Sequence, residues 1–270
     1  MTRLPRKIAW LIALGLLAAI VAVSLPVLLR AWWSMRASNP VRRGVRLARD
    51  LGCFSCHGPL GAGGLADPTA TIGEVPAWSG GTWMMYVNSD EQIRQFILDG
   101  VSHARRESPA AAAERERLTI RMPAYRGWVD DRDVDDLVAA FKVLSRMSAP
   151  AEGSAARRGL ALAERWGCAA CHGPAGSGGL ANPGSFAGFV PGWYGADFGD
   201  LVRDRAEFDA WIREGSIPRL TERPLASYYL ERQRLRMPAY RDLATGELDD
   251  LWAYVQWLGE TGGGHRGSAP

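Results

Sequence analysis

Hydrophobic positions along the chain fall into two regimes. From Ile8 to Leu29 no charged residue occurs. At roughly 1.5 Å per residue this run makes about 33 Å of helix, enough to cross a hydrocarbon core of about 30 Å. Beyond it, apolar residues return three and four apart in short amphipathic segments separated by Gly/Pro-rich stretches. The pattern predicts helices over Val41–Leu51 and Ala156–Trp166. It predicts two more over Asp90–Gly100, with Ile93, Phe96 and Ile97, and over Arg205–Gly215, with Phe208, Trp211 and Ile212. Two closing helices are expected after acidic residues (Asp130, Asp131 and Asp133; Glu247, Asp249 and Asp250), which suit the positive end of a helix dipole. Val134, Leu137, Phe141 and Leu144 mark the apolar face of the first, and Leu248, Leu251, Val255 and Leu258 that of the second. The predicted class is all-α.

These segments are two copies of one unit, offset by 115 residues with a one-residue slip only after the Met-Pro-Ala-Tyr segment. Arg42-Arg43-Gly44 matches Arg157-Arg158-Gly159, and Gly63-Gly64-Leu65-Ala66 matches Gly178-Gly179-Leu180-Ala181. Pro76, Trp78 and Gly80 match Pro191, Trp193 and Gly195, and Arg121-Met122-Pro123-Ala124-Tyr125-Arg126 matches Arg236-Met237-Pro238-Ala239-Tyr240-Arg241. A tandem duplication is implied. The chain divides into an amino-terminal segment with a membrane anchor (1–36), a first domain (37–148), a second domain (149–262) and a flexible tail (263–270). Ser148–Ser154 forms a short linker.

The apolar run is longer than the 7–15 apolar residues usual in a cleaved signal peptide, and no small-x-small cleavage site follows it. An uncleaved transmembrane anchor is expected, with Trp10 at one headgroup zone and Trp32-Trp33 at the other. Arg3, Arg6 and Lys7 precede the run, while Arg30, Arg36, Arg42, Arg43, Arg46 and Arg49 follow it. Positive charge alone would place the carboxy-terminal side in the cytoplasm. These juxtamembrane arginines are expected to meet anionic lipid.

Candidate chemistry sits at Cys53-Phe54-Ser55-Cys56-His57 and again at Cys168-Ala169-Ala170-Cys171-His172, which use all 4 cysteines of the chain. A Cys-x-x-Cys-His run reads as covalent haem attachment: both thiols add to the vinyl groups of one haem, and the adjacent imidazole becomes the proximal iron ligand. A zinc site built from both pairs needs no histidine after each, and a redox dithiol wants a strand–helix context that is missing here. Disulfide pairing is formally open to an exported chain, but the following histidines favour thioethers. Two covalently bound c-type haems are expected. Since such attachment in bacteria takes place outside the cytoplasmic membrane, the motifs outweigh the charge bias and place both domains in the periplasm. A net charge of +3 without a long basic run gives no indication of nucleic-acid binding.

The second axial position decides between electron carrier and catalyst. Between His172 and the tail the only methionine is Met237, and no further histidine occurs. In the first copy Met84, Met85, Met122 and His103 compete; only Met122 has a counterpart, and it stands as far after His57 as Met237 does after His172. His57, Met122, His172 and Met237 are therefore the candidate metal ligands. Trp78 and Trp193 are candidates either for core packing or for an indole hydrogen bond to a haem propionate. Arg121 and Arg236 are candidates either for pairing with propionates or for solvation.

With these elements in place, each copy resembles a class I cytochrome c domain: helix, Cys-x-x-Cys-His-Gly, loop, helix, Met-Pro loop, closing helix. The resemblance covers residues 40–146 and 155–260 and implies a haem edge exposed for electron transfer and a first helix packed across the last. Gly44 and Gly159 fit the close approach of that crossing. Tyr254 fits the family's aromatic position, where the first copy has Ala140, with Phe141 as the compensating ring. Ala110–Glu116 and Leu225–Arg232 lie in a longer segment than minimal members carry and are expected to form an extra helix. The whole chain resembles anchored di-haem subunits of haem–copper oxidases and cytochrome subunits that accept electrons from periplasmic dehydrogenases. The resemblance implies a non-enzymatic electron carrier at the bacterial inner membrane, a subunit of a respiratory or photosynthetic chain. Its partners would be redox proteins: an oxidase, a quinol-oxidising complex, a dehydrogenase or a soluble cytochrome. The competing class is a di-haem enzyme, a peroxidase or sulfur-compound dehydrogenase with a displaceable Met ligand; no spare cysteine supports it.

Overall fold

The computed structural model describes residues 6–36 and 39–263, and all regular structure among them is helical. The first helix, α1 (Arg6–Arg36), contains the apolar stretch Trp10–Leu29, 20 residues long. Its described apolar side chains, from Trp10 through Leu17 to Val27, are exposed. It is long and apolar enough to cross a membrane; a signal sequence near an amino terminus would look the same. The expected cytoplasmic residues 1–5, with Arg3, and the tail 264–270 lie outside the described residues.

The first copy runs α2 (Pro40–Asp50), α3 (Cys53–His57), α4 (Asp90–Asp99), α5 (His103–Glu107), α6 (Pro109–Arg117) and α7 (Asp131–Leu144). The second runs α8 (Ala155–Arg165), α9 (Ala169–His172), α10 (Ala196–Leu201), α11 (Arg205–Glu214), α12 (Pro218–Thr221), α13 (Pro224–Arg232) and α14 (Thr245–Thr261). Local sequence sets the ends. The Asn39 side chain caps α2 by accepting from the Arg42 N–H, with Pro40 in the first turn, and Ser154 caps α8 by accepting from Arg157. Ser89 and Asp204 cap α4 and α11, which both stop at a left-handed glycine, Gly100 (φ 70°) and Gly215 (φ 69°). Asp130 and Asp133 form a reciprocal capping box on α7. The last helix begins ahead of its acidic residues rather than after them: α14 starts at Thr245, and Glu247 reaches back to accept from the Ala244 N–H. The extra helices expected before each Met-Pro segment are α6 and α13.

In each copy the first helix crosses the last. Gly44 lies so close to α7 that a Cβ would fall on the Asp136 carbonyl oxygen and against the Ala140 methyl; Gly159 makes the same approach to Asp250 and Tyr254 on α14. Two charge pairs frame these crossings, Arg43 to Asp136 through two hydrogen bonds of 2.6 and 2.7 Å, and Arg158 to Asp250 at 2.9 and 2.7 Å. The fully buried Ala140 serves the crossing as well as Tyr254 does, because the aromatic role has moved one residue along. Phe141 meets Trp78 at 5.5 Å between ring centroids, as Tyr254 meets Trp193 at 6.1 Å. One core gathers Ala48, Val87, Ile93, Ile97, Val134, Leu137 and Phe141; the other gathers Leu162, Phe208, Leu243, Leu248, Leu251 and Leu258.

The copies also touch. The Asn39 side chain donates to the Ser177 carbonyl at 2.9 Å, and the Arg42 guanidinium lies over the Phe189 ring at 4.4 Å from its centre. Arg42 is buried, so it does not face lipid as expected from its position near the anchor, and Arg43 is engaged by Asp136. Gly263, placed in the expected tail, is buried against the Tyr194 hydroxyl, where a Cβ would not fit.

Candidate functional site

The first Cys-x-x-Cys-His run is itself a short helix and the second is one from Ala169 with Cys168 at its N-cap, each stopped by a glycine with positive φ, Gly58 at 76° and Gly173 at 75°. Only glycine reaches this conformation without strain. The chain then turns back so that the Leu65 N–H donates to the Cys56 carbonyl and the Gly178 N–H to the His172 carbonyl. This return brings a proline carbonyl to each imidazole. His57 Nδ1 lies 2.7 Å from the Pro76 oxygen, and His172 Nδ1 lies 2.9 Å from the Pro191 oxygen. A carbonyl can only accept, so Nδ1 carries the proton in both rings and the Nε2 lone pair is left available for a metal. Burial pushes both imidazoles below their ordinary pKa, against the smaller opposing effect of the proline hydrogen bond. Both rings are held neutral, as a ligand must be.

In the first copy an apolar cavity of about 220 Å³ adjoins this histidine. Cys53, Cys56, His57, Trp78, Arg121 and Met122 all line it, so six of the residues singled out in the sequence meet at one place. The alternatives to Met122 do not share it. Met84 and Met85 are 65% and 61% exposed, and His103 is an exposed residue beside Asp99. Trp78 is buried, its ring 5.5 Å from that of His57 and 5.3 Å from that of Phe54, which makes it a packing residue behind the imidazole. Arg121 is exposed at the cavity margin and donates to the Glu116 carbonyl. Arg115, not anticipated from the sequence, lines the same margin.

The second copy repeats the local arrangement. The Trp193 ring lies 5.3 Å from that of His172, and Arg236 donates to the Glu231 carbonyl as Arg121 does to Glu116. Met237 is placed as Met122 is: the Met237 carbonyl lies against Gly215 and the Met122 carbonyl against Gly100, each so close that a Cβ on the glycine would collide with it. Tyr125 and Tyr240 then donate backbone hydrogen bonds of 3.0 and 2.9 Å to Ile97 and Ile212. The middle helix thus fixes the backbone on either side of each Met-Pro step. Cys168 is partly buried and packs on the second core.

Two residues missed in the sequence complete the arrangement. Asp67 is buried and accepts from the Thr69 hydroxyl, the Thr69 N–H and the Ile120 N–H, at 2.5, 3.0 and 3.0 Å. Its counterpart Asn182 accepts from the Leu235 N–H at 2.8 Å and donates to the Leu235 carbonyl at 2.9 Å. Each ties the loop after the cysteine motif to the backbone two residues before the methionine. Their signal in the sequence was only their equivalent place in the repeat.

The donor set narrows the chemistry. Burial pushes the Cys53 and Cys168 thiols up, whereas a redox dithiol depends on a lowered value. Among the described residues no three His, Cys, Asp or Glu side chains gather into a chelating group. The first-copy cavity offers two thiols, a neutral imidazole and a thioether on apolar walls. Imidazole and thioether together suit a transition metal more than a hard cation. No family model matches the chain, and comparisons with curated proteins and with solved structures find no match.

Proposed function

We propose that the chain is a membrane-anchored, di-haem c-type cytochrome that carries electrons between redox proteins on the periplasmic side of a bacterial inner membrane. The observation that carries this reading is the convergence of Cys53, Cys56, His57 and Met122 on one apolar cavity, with His57 held neutral by the Pro76 carbonyl. The residues fit a haem: the Cys53 and Cys56 thiols would make the covalent links, Nε2 of His57 and the Met122 sulfur would hold the iron, and Trp78 packs behind the imidazole. In the second domain Cys168, Cys171, His172 and Met237 take the same parts, by the repeat and by the matching His172–Pro191 contact.

When bound, haem supplies a reversible one-electron couple. The chain supplies orientation and enclosure. Pro76 and Pro191 hold the two imidazoles in one tautomer. Gly100 and Gly215 let the methionine backbones approach the middle helices. Asp67 and Asn182 close each loop over the site. Were Met122 and Met237 to hold the irons together with His57 and His172, no coordination site would be left for a substrate, which favours a carrier over an enzyme. The helix Arg6–Arg36 serves as the anchor, with the amino terminus in the cytoplasm, and the chain works as a subunit beside a donor and an acceptor.

Haem-stained denaturing gels and pyridine haemochrome spectra test the reading. Two covalent haems per chain are expected, falling to one in Cys168→Ala/Cys171→Ala with the first domain's spectrum intact. A chain matured in a haem-ligating host without covalent haem would overturn it.

A further inference from the structure

The two copies offer a comparison on one backbone. In the first copy α6 turns Ala111, Glu114, Arg115 and Leu118 toward the cavity. Positions 226, 229, 230 and 233 are their equivalents on α13, so Leu225, Tyr228 and Arg232, at helical spacing three and four apart, form the outward face. That face is apolar and aromatic: Leu225 is 67% and Tyr228 50% exposed. Tyr228 is stiffened between the Arg232 guanidinium, 5.0 Å above its ring, and Tyr229, 5.3 Å away; Tyr229 in turn meets Phe186 at 5.3 Å. In the first copy the corresponding outward residues are Ala110 and Ala113, and the contact between positions 71 and 114 is polar, a Thr71–Glu114 hydrogen bond backed by Arg105. One copy has closed this corner with polar pairs; the other leaves rings and a leucine in water.

The rim is basic. Arg223, Arg232, Arg234 and Arg236 are exposed around the patch, and none of them enters an ion pair among the described residues. Glu222 and Glu231 are the nearby acids along this segment. Rigid tyrosines with arginine at the edge are what protein-binding hot spots are made of. We propose that the outer face of α13 is the docking surface of the second domain for a redox protein whose contact face carries an apolar centre ringed by carboxylates. This rests on the electron-carrier reading. The partner follows from the charge of the rim, and its position from the inner face of the same helix, which by the repeat walls the second cofactor site. A protein seated on Tyr228 stands about one helix diameter, ~10 Å, from that site; a lipid surface would gain nothing from this proximity.

The test uses the full haem-loaded chain in neutral detergent, reduced and then mixed in a stopped-flow apparatus with ferricyanide or with plastocyanin, an acidic blue-copper protein. Leu225→Ser/Tyr228→Ser is expected to slow oxidation by plastocyanin at least fivefold at low ionic strength and to leave the ferricyanide rate and haem spectrum unchanged. Arg232→Gln/Arg234→Gln should flatten the salt dependence of the plastocyanin rate. Ala110→Ser/Ala113→Ser, the same change in the first copy, should alter neither rate. Unchanged plastocyanin kinetics in both α13 variants would overturn the docking surface while leaving the carrier reading intact. An equal loss in the first-copy variant would overturn it too, as would an effect seen only after reconstitution into nanodiscs containing phosphatidylglycerol, which would mark a lipid contact. A chain with no haem spectrum would overturn both readings.

Discussion

His57 and Pro76, 19 residues apart, meet through one hydrogen bond of 2.7 Å that fixes which nitrogen of the ring is protonated. His172 and Pro191 repeat it at the same separation. Burial lowers both imidazole pKa values below 6.5. A histidine with a depressed folded-state pKa contributes stability above its unfolded value, and that contribution is lost as pH falls through the lowered folded value. In the haem-free chain, where no iron holds Nε2, stability should therefore fall on acidification from about pH 7 to about pH 5, the range in which unfolded histidine takes up its proton. Urea midpoints across that range measure the slope. His57→Gln/His172→Gln should be less stable at pH 7 and flatter below it; an unchanged slope would show that other groups carry the acid response.

The Gly44–Ala140 approach makes a second prediction. A Cβ at Gly44 would overlap the Asp136 carbonyl, and one at Gly159 the Asp250 carbonyl, so neither helix pair can accept alanine without sliding apart. Gly44→Ala and Gly159→Ala should each destabilise their own domain by about 1–3 kcal/mol, the usual cost of overpacking. Thermal unfolding followed at two wavelengths is the check. Similar losses in the two domains are expected, because Ala140 with Phe141 replaces Tyr254 without loosening the crossing. A tolerated Gly44→Ala would mean that the first crossing is looser than its backbone distance indicates.

The helices and their repeat were legible in the sequence because caps, glycine stops and three-and-four spacing are local signals; Ser89, Gly100 and the Asp130–Asp133 box announce their helix ends by residue type alone. Cys53, His57 and Met122 could be brought to one cavity on paper because the duplication removes Met84, Met85 and His103 as rivals. Contacts between the copies were not legible. Arg42 lies in a run of arginines after an apolar helix and reads as a lipid contact, yet it is buried over Phe189 near Asp197, whose carboxyl burial pushes up. Nothing periodic marks such a pairing between residues far apart in the chain. Asp67 and Asn182 stayed hidden for the same reason: a buried polar residue in a Gly/Pro-rich loop looks like any turn former until its partner, the Ile120 or Leu235 N–H, is known.

Asp67 supports a third prediction. It satisfies three donors in a buried place, and its removal leaves the Ile120 N–H without an acceptor beside the Met122 loop. Asp67→Ala should cost about 1–3 kcal/mol and increase local hydrogen exchange at Ile120 and Met122. Asp67→Asn should be milder, since the second copy uses asparagine at this position for the same backbone tie. Mass-spectrometric exchange of the segment 118–125 distinguishes the two variants. Equal protection in Asp67→Ala and the parent would remove Asp67 from the support of the methionine.

The last prediction concerns which methionine closes the first site. Met122 lines the cavity with His57, whereas Met84 and Met85 point into solvent from the turn Thr82–Met85. On the proposed carrier reading, a haem held by His57 and Met122 would have no position for carbon monoxide, so the reduced parent should bind it weakly at neutral pH. Met122→Ala should open strong binding at one haem per chain, and Met237→Ala at the other, each reaching half of the total haem; the double variant should bind at both. Met84→Leu/Met85→Leu should leave the spectrum unchanged, because neither side chain reaches the cavity. Carbon monoxide difference spectra with haem content measured in parallel give the stoichiometry directly. Stoichiometric binding to one haem of the unmutated chain would show a methionine that is absent from the iron or easily displaced. The first domain and the second could then be told apart by which single alanine variant fails to add further binding, and a substrate-binding enzyme would become the better description of the chain.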